Sequence, residues 1–398
     1  MNKYTITLAK TCLGCKKPSC QKGCPVNTPI AEMIRLFLSG EIKTAGKMLF
    51  ENNPLSIICS LVCPHEKHCE GHCILNKKGT AVSVGSIENY ISDFYMHDTN
   101  FKKPTPNGHK IAIIGSGPAG IALAFILASK GYEITMYDGH DKIGGVLRYG
   151  IPDFRLNKST LDLVVEKLKQ LGVKVRPNIM IGKNITIDDL FRDEFKAVFL
   201  STGVWSPKKL GIKGESLGHV HFAIDYLKNP NVYDLGRRVV VLGAGNVAMD
   251  VARTCIRKGA REGVIMYRKG LEDMPAEKHE IECAKIDGVK FELYKEPIEF
   301  TDDGVIYKTT DGTEETELFE ADSIFVSISQ NPNDLIVQNN KGIAVDDKGL
   351  LFTDDSGMTS RKGVFGAGDA VTGARTVVEA VAFSKRVAIS IEEYIHKL

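Results

Sequence analysis

The sequence predicts an α/β protein in which one parallel-sheet domain is inserted into another, with a smaller α-helical domain in front of both. Three observations lead to this prediction: a glycine-rich turn between a strand and a helix that occurs twice, a further strand and helix near the C-terminus, and eight cysteines within the first 73 residues. The chain has 398 residues, 43% of them hydrophobic and 25% charged. This length allows two or three domains with separate cores.

The charge balance argues against two classes of partner. The chain carries 51 basic and 49 acidic residues, for a net charge of +2. Since no long run of one sign interrupts this balance, we expect no nucleic-acid partner and no membrane surface. The first ten residues lack the apolar stretch of a signal peptide, so a cytoplasmic location is expected. The apolar run at residues 111–129 is broken by three glycines and Pro118, which favours a buried strand, a turn and a helix over a membrane span.

The N-terminal cysteines predict metal ligation. In a cytosolic protein such density is better explained by metal or cluster ligands than by disulfides. Only one pair, Cys12 and Cys15, has the C-x2-C spacing of structural zinc sites, whereas Cys24-Pro25 ends its run in the manner of ferredoxins. We therefore expect two 4Fe-4S clusters, with zinc as the alternative. The eight residues form two groups: Cys12, Cys15, Cys20 and Cys24, then Cys59, Cys63, Cys69 and Cys73.

Two helices are predicted between the cysteine groups. Thr28 is the expected N-cap of the first helix, Pro29 its first residue and Gly40 its end. The second helix is expected over residues 41–50. The cysteines would then lie on loops at either end of this helical pair, which serves as scaffold.

The first glycine-rich turn, "IAIIGSGPAG", predicts a dinucleotide site. Gly115, Gly117 and Gly120 follow an apolar strand and open a helix. Glycine at these positions permits a tight turn, close approach of a pyrophosphate and close packing of helix on strand. Asp138 ends the next strand, where a carboxylate can accept hydrogen bonds from ribose hydroxyls.

The motif recurs as "VVVLGAGNVAMD", with Gly243, Gly245 and Ala248. Its next strand ends in Arg268 and Lys269, where the first copy has an acid. Cations at this position suit the 2′-phosphate of NADPH, so we predict NADPH over NADH. The alternative is a solvated basic turn.

Near the C-terminus, "GVFGAGDAVTGARTVVEAV" predicts a short strand ending in Asp369 and a helix that begins near Thr376. The carboxylate is suited to a ribityl hydroxyl of FAD, and the helix N-terminus would stabilise negative charge on reduced flavin. The fold class expected is therefore α/β with two nested Rossmann-like dinucleotide-binding domains, preceded by an α-helical iron-sulfur domain. The expected bounds are 1–100 for the iron-sulfur domain, 108–230 and 331–398 for the split FAD domain, and 231–330 for the inserted NADPH domain, which ends in strands joined by turns such as Asp311-Gly312.

The sequence resembles the family of the glutamate synthase small subunit, which includes the reductase portion of dihydropyrimidine dehydrogenase and the large subunit of ferredoxin:NADP oxidoreductases. The likeness covers essentially the whole chain. It rests on the cysteine spacings, on "NNPL" at residues 52–55, on the glycine-containing run at residues 144–156, and on "YRK" followed by "EDMPA". The resemblance implies two 4Fe-4S clusters on the helical domain, beside a split FAD domain and an inserted NAD(P)H domain.

The resemblance also implies ligands. It assigns one cluster to Cys12, Cys15, Cys20 and Cys73, and the other to Cys24, Cys63, Cys69 and the non-cysteine ligand Glu88. Counting cysteines alone would give Cys59 the place of Glu88; we favour Glu88. Further cofactor contacts are expected at Gly145, Leu147, Gly203, Asn246, Gly368 and Val377.

The expected function is conversion of two-electron to one-electron transfer: NADPH delivers a hydride to the flavin, which passes single electrons to the clusters. No acid–base residue is expected. Because the domains account for almost every residue, the final acceptor is expected on another polypeptide of a hetero-oligomer. The candidates are a glutamate synthase large subunit, a dihydropyrimidine dehydrogenase catalytic subunit and ferredoxin. The alternative from another class is a zinc-binding docking module on a flavin-dependent, NADPH-binding regulator.

Overall fold

The computed structural model describes residues 2–310, 316–332 and 335–398. The chain divides into two compact units. The first comprises Met1–Leu147, Asp153–Val204 and Pro332–Leu398, and the second comprises Arg148–Pro152 and Trp205–Asn331. The turn predicted at Asp311-Gly312 lies outside the described residues.

The first unit begins with helices around an apolar core. In the longer helices apolar residues recur every three or four positions, so each of them turns one apolar face inward; Phe37, Leu49 and Ile87 are fully buried there. A short 3₁₀ turn at Ile74–Lys78 precedes the last helix. The helices are α1 (Lys3–Lys10), α2 (Ser19–Lys22), α3 (Ile30–Leu38), α4 (Ile42–Asn52), α5 (Ser56–Val62) and α6 (Val84–Asp98).

The predicted helical pair is present as α3 and α4, with shifted ends. Thr28 does not cap α3, because its hydroxyl lies 3.3 Å from the Cys24 Sγ instead, and Pro29 takes the cap position. The helix α4 continues to Asn52 and ends where Asn53 becomes extended before Pro54. Cys59 lies within α5 and not on a loop, which corrects the expectation for that residue.

A parallel sheet follows in the first unit. Its central strands are apolar because helices cover its faces; Ala112, Ile113 and Phe199 are fully buried. The elements are β1 (Lys110–Ile114), α7 (Pro118–Ala128), β2 (Glu133–Tyr137), α8 (Val146–Tyr149), α9 (Lys158–Gln170), β3 (Lys174–Arg176), α10 (Ile187–Arg192) and β4 (Phe195–Leu200).

The second unit contains another parallel sheet, with strand order β6-β13-β7-β8-β9, and an antiparallel sheet, β10-β11-β12. The two-residue strands β5 and β14 pair with each other. The elements are β5 (Ser206–Pro207), β6 (Val220–Phe222), α11 (Ala223–Lys228), β7 (Arg238–Leu242), α12 (Asn246–Arg257), β8 (Glu262–Tyr267), α13 (Lys278–Ile286), β9 (Lys290–Leu293), β10 (Lys295–Thr301), β11 (Gly304–Thr309), β12 (Thr316–Glu320), β13 (Ser323–Val326) and β14 (Gln330–Asn331).

The chain then returns to the first sheet. Its last strand pairs in parallel with β4, so that Val364 lies beside Val198, and gives the strand order β15-β4-β1-β2-β3. The first sheet is thus built from two chain segments with the second sheet between them, which confirms the predicted nested fold. The closing elements are α14 (Leu335–Gln338), β15 (Val364–Gly366), α15 (Asp369–Thr372) and α16 (Val377–His396).

The boundary between the sheets differs from the expected one. The strand β6 lies in the stretch assigned to the first domain, yet Ile324 of β13 pairs with Val220 of β6 in the second sheet. Residues 205–230 accordingly belong to the second unit.

None of the helices that the structure describes combines the length and the apolar character needed to cross a membrane.

Candidate functional site

The first glycine-rich turn joins β1 to α7, and each of its glycines has a different task. Gly115 has φ +96°, and a Cβ there would lie 2.3 Å from the carbonyl oxygen of Ser201. A Cβ on Gly120 would lie 2.2 Å from the carbonyl oxygen of Gly115, so this glycine lets α7 pack against the turn. Gly117 is the N-cap of α7. The unpaired N–H groups of the helix start are therefore available to an anion such as a pyrophosphate.

Asp138 follows β2 directly and holds this turn together. Its carboxylate accepts hydrogen bonds from the backbone N–H of Ser116 (2.8 Å) and from the Ser116 hydroxyl. It also accepts from the N–H of His140 (2.8 Å) and lies 2.9 Å from that imidazole Nδ1. Burial by itself would raise the pKa of Asp138, but the hydrogen bonds from His140 and Ser116 bring it below its ordinary value. Since a carboxylate offers about four acceptor positions, a ribose hydroxyl can be accepted once one of these donors moves.

Other predicted cofactor residues surround the same turn. Gly145 has φ +51°, and a Cβ there would lie 2.7 Å from the Cα of Gly117. Leu147 is fully buried. Gly203, with φ +70°, follows the end of β4, two residues after the Ser201 carbonyl that contacts Gly115.

The C-terminal segment reaches the first turn as well. A Cβ on Gly368 would lie 3.0 Å from the Cβ of Ala119 in α7, and the Ser384 hydroxyl of α16 donates to the Ala119 carbonyl (3.1 Å). The strand β15 ends at Gly366, before the expected position, and Asp369 begins the one-turn helix α15. Burial raises the pKa of Asp369 to about 6.

The helix α16 begins where the sequence predicted. Thr376 is its N-cap and Val377 its first residue, and Thr376 forms a capping box with Glu379. The glycine-lined turn, the buried Asp369 and the start of α16 together fit a flavin dinucleotide: N–H groups for its phosphates, a carboxylate for a hydroxyl and a positive helix end.

The second glycine-rich turn joins β7 to α12. Gly243 has φ +124°, and a Cβ there would lie 2.2 Å from the carbonyl oxygen of Ser327. Gly245 is the N-cap of α12, and a Cβ on it would meet no atom within 4 Å. The space beside this helix start is therefore open to a phosphate group. Ala248, at the third position of the motif, is fully buried.

The "EDMPA" segment has a structural task at the second turn. The Asn246 side-chain oxygen accepts a hydrogen bond from the N–H of Glu277 (2.8 Å), and the Ala276 N–H donates to the Ala244 carbonyl (3.1 Å). The segment is thus fixed against the glycine turn. Sequence analysis had noted this motif without a role for it.

Arg268 and Lys269 follow β8 and are both exposed. The Arg268 guanidinium is 62% exposed, with its Nη1 3.8 Å from the Glu296 Oε1. Glu296 is closer to Lys308, at 3.0 Å. A weak, solvated pairing of this kind leaves Arg268 able to turn toward a phosphate.

Four cysteines gather into what we name the outer thiol group. Burial raises the pKa of Cys20, and so do the neighbouring thiols of Cys73, Cys12 and Cys15, because like charges oppose ionisation. All four are only partly buried. The structure therefore brings Cys73 from the second cysteine run to three cysteines of the first.

The remaining cysteines of the two runs gather with one acid into the inner thiol group. Burial raises the pKa of Cys63, with further contributions from the other members. Two of its thiols, Cys59 and Cys69, are buried. The group comprises Cys24, Cys59, Cys63, Cys69 and Glu88.

Glu88 and Cys59 are the two candidates for a fourth metal ligand beside Cys24, Cys63 and Cys69. Glu88 lies in α6 and is 7% exposed, and burial raises its pKa to about 8. Within the described part of the chain its carboxylate has neither a hydrogen bond nor an ion pair. The pKa of the Cys59 thiol, by contrast, is raised by burial and lowered in part by the neighbouring Asn53 side chain.

The described residues contain no group of three His, Cys, Asp or Glu side chains placed to hold one metal ion. In a 4Fe-4S cluster the thiolates bind different irons.

A chain of polar contacts joins the inner thiol group to α16. The Thr28 hydroxyl lies 3.3 Å from the Cys24 Sγ and 3.5 Å from the side-chain nitrogen of Asn52. The Lys385 ammonium of α16 donates to the backbone carbonyl (2.6 Å) and the side-chain oxygen (2.9 Å) of Asn52. Sequence analysis missed this link, although "NNPL" at residues 52–55 was its visible signal.

The start of α16 is also close to the cysteine loops. Burial opposes ionisation of Glu379, but hydrogen bonds from Thr376 and the nearby charges of Arg375 and His68 lower its pKa. His68 stands one position before Cys69 of the inner thiol group. Thus α16 contacts the flavin-type turn directly and reaches the inner thiol group through Asn52 and Thr28.

Two family models match the chain. The model of pyridine nucleotide-disulphide oxidoreductases covers residues 109–383, and that of dihydropyrimidine dehydrogenase domain II, 4Fe-4S cluster, covers residues 1–100. The fold is similar to that of Mycobacterium tuberculosis FprA in complex with NADPH, with a TM-score of 0.62 and 18% identity over 73% of this chain and 85% of that one. It is also similar to T. acidophilum thioredoxin reductase, with a TM-score of 0.59 and 22% identity over 71% of this chain and 97% of that one.

Curated relatives match over nearly the whole length. The small chain of NADPH glutamate synthase from Azospirillum brasilense is 34% identical, over 97% of this chain and 88% of that protein. Its Escherichia coli counterpart is 32% identical, over 97% and 90%. The NAD-dependent dihydropyrimidine dehydrogenase subunit PreT of Salmonella typhimurium is 30% identical, over 98% and 94%.

Fold and sites define an oxidoreductase of the pyridine nucleotide-disulphide class that carries a 4Fe-4S domain at its N-terminal end. Within that class, the chain belongs to the family of the glutamate synthase small chain, which also contains dihydropyrimidine dehydrogenase subunits. The predicted resemblance, fold class and enzyme class are thereby confirmed. The number of clusters and the individual ligands stay predictions.

Proposed function

We propose that the chain is the NADPH-oxidising subunit of a hetero-oligomer and passes electrons from NADPH through FAD and two 4Fe-4S clusters to a partner protein. One observation supports this most directly: α16 contacts the flavin-type turn and is linked to Cys24 of the inner thiol group through Asn52 and Thr28, while the outer thiol group is partly exposed. An ordered route from flavin to surface follows from this arrangement.

FAD is assigned to the first unit. Gly115, Gly117 and the start of α7 would hold its pyrophosphate, with Asp138 near the ribose. Asp369 would meet the ribityl chain, and Thr376 and Val377 would turn the positive end of α16 toward the flavin ring. The nearby residues Gly120, Gly145, Leu147, Gly203 and Gly368 complete this predicted site.

NADPH is assigned to the second unit. Gly243, Gly245 and the start of α12 would hold its pyrophosphate, with Ala248 and Asn246 shaping the turn. Arg268 and Lys269 would bind the 2′-phosphate. We extend this domain from the predicted residues 231–330 to include residues 205–230, because β6 pairs with β13.

One cluster is assigned to the outer thiol group, Cys12, Cys15, Cys20 and Cys73. The other is assigned to Cys24, Cys63 and Cys69 of the inner thiol group, with Glu88 as fourth ligand. A buried carboxylate without a partner is costly, and ligation would remove that cost for Glu88. The Cys59 thiol already has a polar neighbour in the Asn53 side chain.

When bound, these groups supply hydride acceptance from NADPH and one-electron transfer along the clusters. The chain itself binds, orients and separates them. None of the described site residues is assigned a proton-transfer role. A reducing compartment such as the cytoplasm is part of this proposal, because the thiols must remain free to ligate iron.

The proposed partner is a glutamate synthase large-subunit-like protein, since two of the curated relatives are small chains of that enzyme. The PreT relative supports a second candidate, a dihydropyrimidine dehydrogenase catalytic subunit. Ferredoxin is a third candidate acceptor. In each case the electrons leave the chain for another protein.

An anaerobic NADPH titration of the purified protein tests the proposal. We expect flavin bands over a broad iron-sulfur absorbance, acid-labile sulfide, and uptake of more electrons than FAD alone can hold. If only flavin bleaches and the protein contains zinc without sulfide, the docking module on a flavin-dependent regulator becomes the better reading.

A further inference from the structure

The two segments that carry the outer thiol group are strongly basic. Residues 1–31 contain five lysines and neither aspartate nor glutamate, and residues 73–79 add two lysines and no acid. The whole chain is nearly neutral, with 51 basic and 49 acidic residues. The positive charge is therefore concentrated where the outer thiol group lies.

The lysines of these segments face solvent. Six of them form what we name the lysine rim, and all six are exposed. Within the described ranges none of them takes part in an ion pair. Their charge is thus not neutralised by the chain's own acids. The members are Lys10, Lys16, Lys17, Lys22, Lys77 and Lys78.

Two large apolar side chains are exposed between the cysteines and the lysine rim. Leu13 is 62% exposed and directly follows Cys12, and Ile74 is 44% exposed and directly follows Cys73. Apolar anchors within a polar, charged margin are typical of protein–protein interfaces.

The degree of burial distinguishes the two thiol groups. Every member of the outer thiol group is partly exposed, whereas in the inner thiol group Cys59, Cys69 and Glu88 are buried and Cys24 and Cys63 are partly exposed. A redox partner must approach one of the clusters closely to exchange an electron. The outer thiol group is the more exposed of the two, and the lysine rim lies on the chain segments that carry it.

We propose that the lysine rim, with Leu13 and Ile74, is the docking surface for an acidic electron-carrier protein. This inference rests on the proposed function and names the chemistry of its partner. The carrier's carboxylates would pair with the lysine rim, and its own redox centre would face the outer thiol group. Aliphatic anchors fit a protein surface, whereas single-stranded nucleic acid is bound by aromatic stacking platforms.

The overall reaction balances with carriers that take one electron each. NADPH gives up a hydride, which is two electrons and one proton, and becomes NADP⁺. Two oxidised carriers become two reduced carriers, and one H⁺ is released to solvent. In the opposite direction, two reduced carriers, NADP⁺ and one H⁺ give NADPH and two oxidised carriers.

Stopped-flow mixing of the oxidised holoenzyme with a reduced acidic [2Fe-2S] ferredoxin tests the surface. The second-order rate constant for flavin reduction is measured at low and high KCl. We expect it to fall as salt increases, because screening weakens long-range attraction between opposite charges. Reduced cytochrome c, which is basic, serves as the comparison in a binding assay, where we expect no measurable association.

Charge reversal supplies the decisive comparison. The double variant Lys77→Glu/Lys78→Glu should lower the rate constant with ferredoxin roughly tenfold at low salt. The control Lys341→Glu/Lys348→Glu changes the net charge equally at exposed lysines far along the chain, and should stay within about twofold of the parent. Lys77→Gln/Lys78→Gln should give an intermediate rate. Equal rates for the rim and control variants would overturn the proposal.

Failure of the docking surface is distinguishable from failure of the proposed function. Flavin bleaching by NADPH and the content of iron, sulfide and flavin are measured for every variant, and are expected to be unchanged. If the parent protein contains no iron-sulfur cluster, the proposed function fails. If the parent is intact and exchanges electrons with ferredoxin without dependence on salt or on the lysine rim, only the docking surface fails.

Discussion

At the scale of single residues, Glu88 and Cys59 are the two candidates for the fourth ligand of the cluster proposed at the inner thiol group. Glu88→Ala should remove about half of the iron and acid-labile sulfide, because a cluster with one ligand missing is readily lost. Iron analysis and electron paramagnetic resonance of the reduced protein measure this. Cys59→Ser is the matched variant and should retain the iron. The reverse result, with full iron in Glu88→Ala and half in Cys59→Ser, would return the ligand role to Cys59.

Asp369 predicts a dependence of stability on pH. Burial raises the pKa of its carboxyl to about 6 in the folded chain, from an ordinary 3.8. Folding therefore favours the protonated form, and the stabilisation is complete below about pH 4 and is lost as the pH rises through about 6. The free energy of unfolding of the flavin-free protein should fall over this window by up to about 3 kcal/mol. Urea unfolding at several pH values measures it.

Asp369→Asn is the control for this dependence. The amide does not ionise, so the fall attributed to Asp369 should be absent from its unfolding profile. An identical fall in the variant would mean that other groups cause it.

Arg268 should set the preference for NADPH. Arg268→Ala removes the cation expected at the 2′-phosphate, so the ratio of kcat/KM for NADPH to that for NADH should fall roughly tenfold. Steady-state kinetics with both nucleotides measure the ratio. Arg261→Ala removes a cation at another exposed position of the second unit and should leave the ratio unchanged. A solvated basic turn would give the same ratio in all three proteins.

At the scale of elements, the two glycine turns should respond differently to a methyl group. In Gly115→Ala the new Cβ would lie 2.3 Å from a backbone oxygen, at a φ of +96°, so the first unit should lose about 1–3 kcal/mol of stability and much of its FAD. In Gly245→Ala the Cβ meets no atom within 4 Å. This second variant should fold normally and bind NADPH roughly tenfold more weakly, because the methyl group enters the predicted phosphate space.

Thermal unfolding, flavin content and nucleotide titration separate these two effects. Equal stability losses in both variants would argue that the second turn is as crowded as the first. Unchanged NADPH affinity in Gly245→Ala would argue against a phosphate at the start of α12.

The elements show which features of the fold can be predicted from sequence. The glycine turns, Thr376 as N-cap and the start of α16 were predictable, because each depends on residues close together in the chain. The membership of β6 in the second sheet could not be predicted in this way. It depends on the pairing of Val220 with Ile324, which lie far apart in the sequence. Thr28 was assigned to the wrong role for the same reason: its hydroxyl is engaged by Cys24 and by the distant Asn52.

The candidate site was predictable to a similar extent. Cysteine spacing indicated ligands, and the family resemblance divided them into two sets. No local pattern links Lys385 to Asn52, so that contact became visible only in the structure. The lysine rim was not predicted, because the net charge of +2 is a sum over the whole chain and does not show that residues 1–31 contain no acid.

At the scale of the whole molecule, Lys385 connects the closing helix α16 with Asn52 at the end of α4. Lys385→Met removes both hydrogen bonds to Asn52, so the free energy of unfolding should fall by about 1–3 kcal/mol. It also removes a positive charge near Cys24, which should make the reduction potential of the cluster proposed at the inner thiol group more negative. Urea unfolding and a redox titration followed by electron paramagnetic resonance measure the two effects.

Lys385→Gln distinguishes the hydrogen bonds from the charge. The amide can still donate to Asn52, so part of the stability should return, while the potential should remain as negative as in Lys385→Met. A potential equal to that of the parent in both variants would mean that Lys385 acts through structure alone.

The pairing of β15 with β4 has a consequence for biosynthesis. A ribosome releases the chain from the N-terminus, so β1 to β4 emerge before the inserted unit, and their edge partner emerges only after it. The second unit, Trp205–Asn331, can complete its sheet with strands from its own continuous segment. During synthesis the β4 edge therefore stays open until the last strand arrives, and an open edge is a site for wrong pairing. Chaperone dependence should accordingly be greatest for nascent chains that stop between β14 and β15.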